Sequence, residues 1–85
     1  MPEVSRFFGI VIAMYHQEHP PPHFHARYGP AKITVDIIDG RVQGRFPPRA
    51  LGLVLEWWSL HQDELSMNWS AVAEGREPAK IKGLE

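Results

Sequence analysis

Three consecutive prolines, Pro20-Pro21-Pro22, constrain this chain more than any other feature. Proline fixes φ and removes a backbone donor, so the stretch can be neither helix nor central strand. It is a stiff, extended connection, and His23-Phe24-His25 follows it directly. Residues two apart in an extended chain point to one face, so His23 and His25 share a face and Phe24 takes the other. His19 lies just upstream, which puts three of the five histidines within seven positions, and His16 precedes them by three residues. This is the one stretch that reads as a site.

The segments around it alternate as strands do. Met1 to Arg6 is a short lead-in. Phe7 to Tyr15 (FFGIVIAMY) is nearly all apolar and reads as one strand buried on both faces, with Gly9 as a bulge or close approach. A second strand runs from Phe24 to Tyr28, and Gly29-Pro30 turns the chain. A third strand, Lys32 to Ile38, alternates cleanly, with Ile33, Val35 and Ile37 on one face and Lys32, Thr34 and Asp36 on the other. Asp39-Gly40 signals a two-residue hairpin. A fourth strand, Arg41 to Phe46, returns from it.

Pro47-Pro48 ends the sheet and opens a helix over Arg49 to His61, with Leu51, Val54, Leu55 and Trp58 as its inner stripe. Leu53, Trp57 and Leu60 widen the apolar arc, which predicts cover by a second helix or a homodimer through the Trp57 face. Helix continues from Gln62 to Ala73 after a kink near His61, and Gly75 stops it. Ile81 and Leu84 tack the tail to the domain. The expected fold is α+β: an antiparallel sheet of about four strands with a C-terminal helical hairpin packed on one face, as a single domain over residues 1–85.

Eighty-five residues lie near the lower limit for a self-sufficient core, and without cysteine neither a disulfide nor a thiolate zinc cluster can staple it. There is no run long enough for a membrane span and no signal-peptide pattern, so a cytoplasmic protein with no membrane role is expected. The net charge of −1 argues against strong nonspecific nucleic-acid binding. It divides unevenly, with six Lys/Arg against four Asp/Glu over residues 1–49 and three against six over residues 50–85. A mildly basic front suits a polar ligand on one side.

Strand pairing sharpens the site. With Asp39-Gly40 as central turn residues, Asp36 faces Gln43 and Thr34 faces Arg45. With an even loop at Gly29-Pro30, Tyr28 faces Ala31, His25 faces Thr34 and His23 faces Asp36. The alternative register would bury His and Arg. His23, His25 and Arg27 then share a polar face with Lys32, Thr34, Asp36, Gln43 and Arg45.

Three readings of that face stand. His23 and His25, completed by His19 or Asp36, form a nitrogen–oxygen site for a divalent metal such as zinc. Alternatively, His23, His25 and Asp36 are catalytic groups while Arg27, Lys32, Gln43 and Arg45 bind a phosphate-bearing ligand such as RNA. Or the histidines are structural and the face is a protein-protein surface.

Ser5-Arg6-Phe7-Phe8-Gly9-Ile10, the His19-to-Ala26 segment, Arg49-Ala50-Leu51, Glu56-Trp57 and Asn68-Trp69 together resemble the bacterial domain-of-unknown-function family 4160. Two prolines before His-Phe-His are more usual there than three, which displaces His19 relative to His23. The resemblance implies a small cognate protein encoded nearby, from domain-of-unknown-function family 2442, in a toxin–antitoxin-like pair. It implies no catalytic residues. The expected function is an interaction module of such a two-gene system, its histidine-bearing face binding a partner protein or nucleic acid. The alternative is a metal- or histidine-dependent hydrolase acting on RNA or another phosphodiester.

Overall fold

The computed structural model describes residues 3–85, so Met1 and Pro2 of the expected lead-in lie outside the described residues. Five strands form one antiparallel sheet in sequence order: β1 (Glu3–Phe7), β2 (Ile10–Ala13), β3 (His23–Tyr28), β4 (Ala31–Asp36) and β5 (Val42–Arg45). Two helices follow, α1 (Pro48–Leu60) and α2 (Gln62–Ala73). The class is the α+β one expected, with one strand more than the four.

The extra strand comes from the apolar run at the start. Phe7 to Tyr15 is not one strand. The chain reverses at Phe8-Gly9, where φ is +50° and +81°, and Phe7 pairs with Ile10. Positive φ at both central residues is the signature of a type I′ hairpin. Both arms bury apolar side chains, so the turn leaves no break in hydropathy. The lead-in from Glu3 onward is therefore strand β1. Buried-on-both-faces holds for β2, where all four residues are buried.

The β3–β4 register is the expected one, with His23 opposite Asp36, His25 opposite Thr34 and Tyr28 opposite Ala31. The β4–β5 register is displaced by two residues, pairing Thr34 with Gln43 and Lys32 with Arg45. Asp36 is the cause. Its Oδ1 accepts the Ile38 and Asp39 N–H groups at 2.8 and 3.3 Å, and its backbone oxygen accepts the Gly40 N–H. The turn thus starts two residues early, and Asp36 pairs with Arg41 through a 2.8 Å backbone bond. A two-residue slip leaves every side chain on its face.

The apolar faces of all strands meet both helices. Phe7, Ile10, Ile12, Phe24, Ile33, Val35 and Ile37 pack with Val54, Trp57, Leu65 and Val72. Trp57 is fully buried, its ring 5.5 Å from Phe7 and from Phe24, and its Nε1–H donates to the Lys82 carbonyl. The sheet and tail of this same chain cover it, so the Trp57 ring itself is not on the surface. On α1 the large exposed apolar side chain is Leu60. The helices break at His61, as the kink expected there requires.

The tail closes one sheet edge. The Ile81 N–H donates to Val4 of β1 at 2.7 Å, and Ile81 is buried. Buried Asn68 holds Ala79 by both backbone groups, donating from Nδ2 to its oxygen at 2.8 Å and accepting its N–H at 2.9 Å. No helix among the described residues is long and apolar enough to cross a membrane.

Candidate functional site

The helices pack on one face, and most of the other face of β3, β4 and β5 is left open, with α2 reaching it at His23 through Trp69. The registers order its side chains into three rows across the strands. The first is His23, Asp36 and Arg41; the second is His25, Thr34 and Gln43; the third is Arg27, Lys32 and Arg45. Imidazoles thus occupy one end of β3, and three cations stand abreast at the other end. Arg27, Lys32, Arg41 and Arg45 are all exposed, and none has an ion-pair partner among the described residues.

At the histidine end, Glu18 reaches in from the connection between β2 and β3. One of its oxygens, Oε1, meets Nε2 of His25 and lies 3.3 Å from Nε2 of His23. The three ligand-capable atoms all lie within 4.8 Å of one another. Nδ1–H of His23 donates to the Pro21 carbonyl at 2.8 Å. The acceptor is a carbonyl oxygen, so Nδ1 carries the proton. Aromatic rings flank both imidazoles: Trp69 sits 5.3 Å from His23, and Tyr15 meets His25 edge-on at 4.8 Å. Burial pushes the Glu18 carboxyl up, but the hydrogen bond from His25 and the charges of His25 and His23 outweigh it. The group is held below its ordinary value.

Other expected site residues fall elsewhere. His19 is exposed and lines an open cleft of about 390 Å³ with Pro21, His23, Thr34, Asp36, Arg41 and Gln43. The carboxylate that meets the histidine pair belongs to Glu18, neither His19 nor Asp36 being in that cluster. The Asp36 carboxylate is engaged by its own turn. His16 contacts the Arg76 carbonyl at 3.1 Å and ties the loop to the tail. His61 pairs with Glu64. Sequence reasoning missed Glu18 because strand periodicity does not extend into the loop. The available signal was a lone carboxylate five residues before His23, with prolines between.

A family model described as "Domain of unknown function (DUF4160)" matches residues 9–70. The chain belongs to the DUF4160 family. The matched span holds Glu18, both site histidines and the whole third row. No curated protein and no solved structure matches this DUF4160 chain.

Proposed function

We propose that this DUF4160 chain is an interaction module whose free sheet face binds the phosphate backbone of nucleic acid. The observation that carries the reading is the third row, Arg27–Lys32–Arg45. Like charges directly opposite across strands destabilise a sheet. The cost is offset when an anion lies across the row, because phosphate contacts by Lys and Arg release counterions. Thr34 and Gln43 in the adjacent row add neutral hydrogen-bonding groups. A net charge of −1 confines attraction to this face and makes the affinity modest and salt-sensitive. The two-gene, toxin–antitoxin-like setting belongs to the same proposal, with the small cognate protein as the component that would cover the face.

The test is fluorescence anisotropy with labelled single-stranded RNA and DNA. Three phosphate contacts give a slope of log K against log salt of about −2 for a single strand. The triple variant Arg27→Gln/Lys32→Gln/Arg45→Gln should abolish binding and keep the fold. Absence of binding at 50 mM salt, or a slope the triple variant leaves unchanged, would sink the proposal.

One observation favours a second reading, hydrolysis of a phosphodiester. His25 lies two residues from Arg27 on the same face, about 7 Å along the strand. A phosphate on the cation row is then within reach of an imidazole able to act as general acid or base. Turnover of labelled RNA that vanishes in His25→Ala, with RNA still bound, is its expected signature.

A further inference from the structure

We infer that Glu18, His23 and His25 form a binding site for one divalent transition-metal ion, held by the Glu18 carboxylate and the two Nε2 atoms. The inference is independent of nucleic-acid binding by the cation row.

The ligand-capable atoms are turned toward one another. His23 commits Nδ1–H to the Pro21 carbonyl, so its neutral ring presents a bare lone pair at Nε2. That lone pair faces a carboxylate oxygen 3.3 Å away. Two acceptors facing one another repel unless a cation lies between them. A metal ion fills that role. His25 turns its own Nε2 to the same oxygen, so three donor atoms converge on one point.

Their spacing also suits a metal ion. Zinc binds nitrogen and oxygen at about 2.0–2.2 Å, which sets neighbouring ligand atoms of a four-coordinate shell ~3.3 Å apart. The His23–Glu18 separation already has that value. The His25–Glu18 contact is closer than that and opens to it, and the widest separation in the set, within 4.8 Å, closes to it, by rotation of the Glu18 side chain and tilts of the rings.

The ligands are supported from behind as well. A metal-bound histidine usually donates its other ring N–H to a carbonyl or carboxylate, which fixes tautomer and orientation. Pro21 does this for His23, within the stiff proline run. Trp69 and Tyr15 hold the two rings in place. Two imidazoles and one carboxylate suit zinc, iron, cobalt or nickel and disfavour calcium and magnesium, which take all-oxygen shells. The side chains of His23, Glu18 and His25 are 18, 29 and 33% exposed, so one side of the set faces solvent. Three protein ligands with one accessible side match sites that exchange water or ligand, not closed structural ones.

The experiment is a zinc titration of the chelator-stripped full chain, without nucleic acid. Calorimetry gives stoichiometry, and long-range nitrogen–proton NMR follows the imidazoles. One equivalent should bind with a micromolar or tighter midpoint, moving the Nε2 signals of His23 and His25 together. Glu18→Gln should weaken binding at least tenfold with an unchanged circular dichroism spectrum, and His25→Ala should abolish it. His16→Ala and His19→Ala should bind as the parent does, and millimolar magnesium should not compete. No saturable shift of His23 and His25 would overturn the inference. So would Glu18→Gln and His25→Ala both binding like the parent, or His19→Ala costing as much as Glu18→Gln. Should Glu18→Gln not fold, His25→Ala decides the outcome by the same readout.

Discussion

Replacing Lys32 with glutamate should stabilise this protein, against the usual direction of a point substitution. Lys32 stands between Arg27 on β3 and Arg45 on β5. The Asp36 N–H turns to β5 and the Ile37 N–H turns to β3, donating to Pro22. That alternation makes Arg27–Lys32 the closer, non-hydrogen-bonded kind of pair. Lys32→Glu converts two like-charge pairs into two opposite-charge pairs. Cross-strand pairs are worth roughly 0.2–1 kcal/mol each, and exposure places these in the lower part of that range. The expected gain is about 0.5–1 kcal/mol, or a rise in Tm of roughly 3–6 °C for a chain of this size. It should be largest at 10 mM salt and nearly vanish at 1 M, where the screening length is about 3 Å. Urea unfolding should show a higher midpoint with unchanged m, with Lys32→Gln between parent and variant. The same change should cost at least tenfold in nucleic-acid affinity. A neutral or destabilised Lys32→Glu at low salt would refute the claim that the cation row is a strained, unneutralised feature.

Phe8 holds a left-handed backbone at φ +50° and is 58% exposed. Phe8→Asn should therefore raise stability by about 1 kcal/mol in urea unfolding, since Asn adopts that region at lower cost. Asn68→Asp removes the donor to the Ala79 carbonyl and sets a carboxylate against it. A loss of about 1–3 kcal/mol is expected, with faster hydrogen exchange at the Ile81 amide on the β1 edge. Glu18 is depressed below its ordinary 4.5 in the folded state, so its contribution is present above that pH and lost as pH falls through the folded value. Thermal unfolding from pH 6 to 3 should show the parent above Glu18→Gln at the start and the two curves converging in acid.

Strand alternation carried most of the fold. Ile33, Val35 and Ile37 against Lys32, Thr34 and Asp36 named both faces of β4, and burying Phe24 and Ala26 required the β3 register found. Two things escaped for physical reasons. Type I′ turns advertise themselves through Asn-Gly or Asp-Gly, yet the chain places one at Phe8-Gly9 and makes a longer turn where Asp39-Gly40 stands. Trp57 read as surplus apolar surface because a hydropathy pattern does not show that Phe7 and Phe24 of the sheet and the Lys82 oxygen of the tail converge on its ring. Of the candidate site, the histidine pair and the cations were legible from period two alone. Glu18 was not, since its place depends on the path of an aperiodic loop.

Asp36 links the misread turn to the face. As a catalytic partner of His23, its carboxylate would have to face the imidazoles. Instead it accepts two N–H groups of residues 38 and 39 and starts the turn early. In the register expected for a two-residue hairpin, Arg45 would stand opposite Thr34, and Lys32 would face Pro47. The early turn moves Arg45 opposite Lys32, which stands between it and Arg27. The cation row is therefore a product of the Asp36 turn. Asp36→Asn retains an oxygen acceptor and should keep both the turn and nucleic-acid binding. Asp36→Ala removes it, and should loosen the Gly40 and Arg41 amides in hydrogen exchange and weaken binding through a displaced Arg45. Equal binding by Asp36→Ala and the parent, with those amides exposed, would separate the row from the turn.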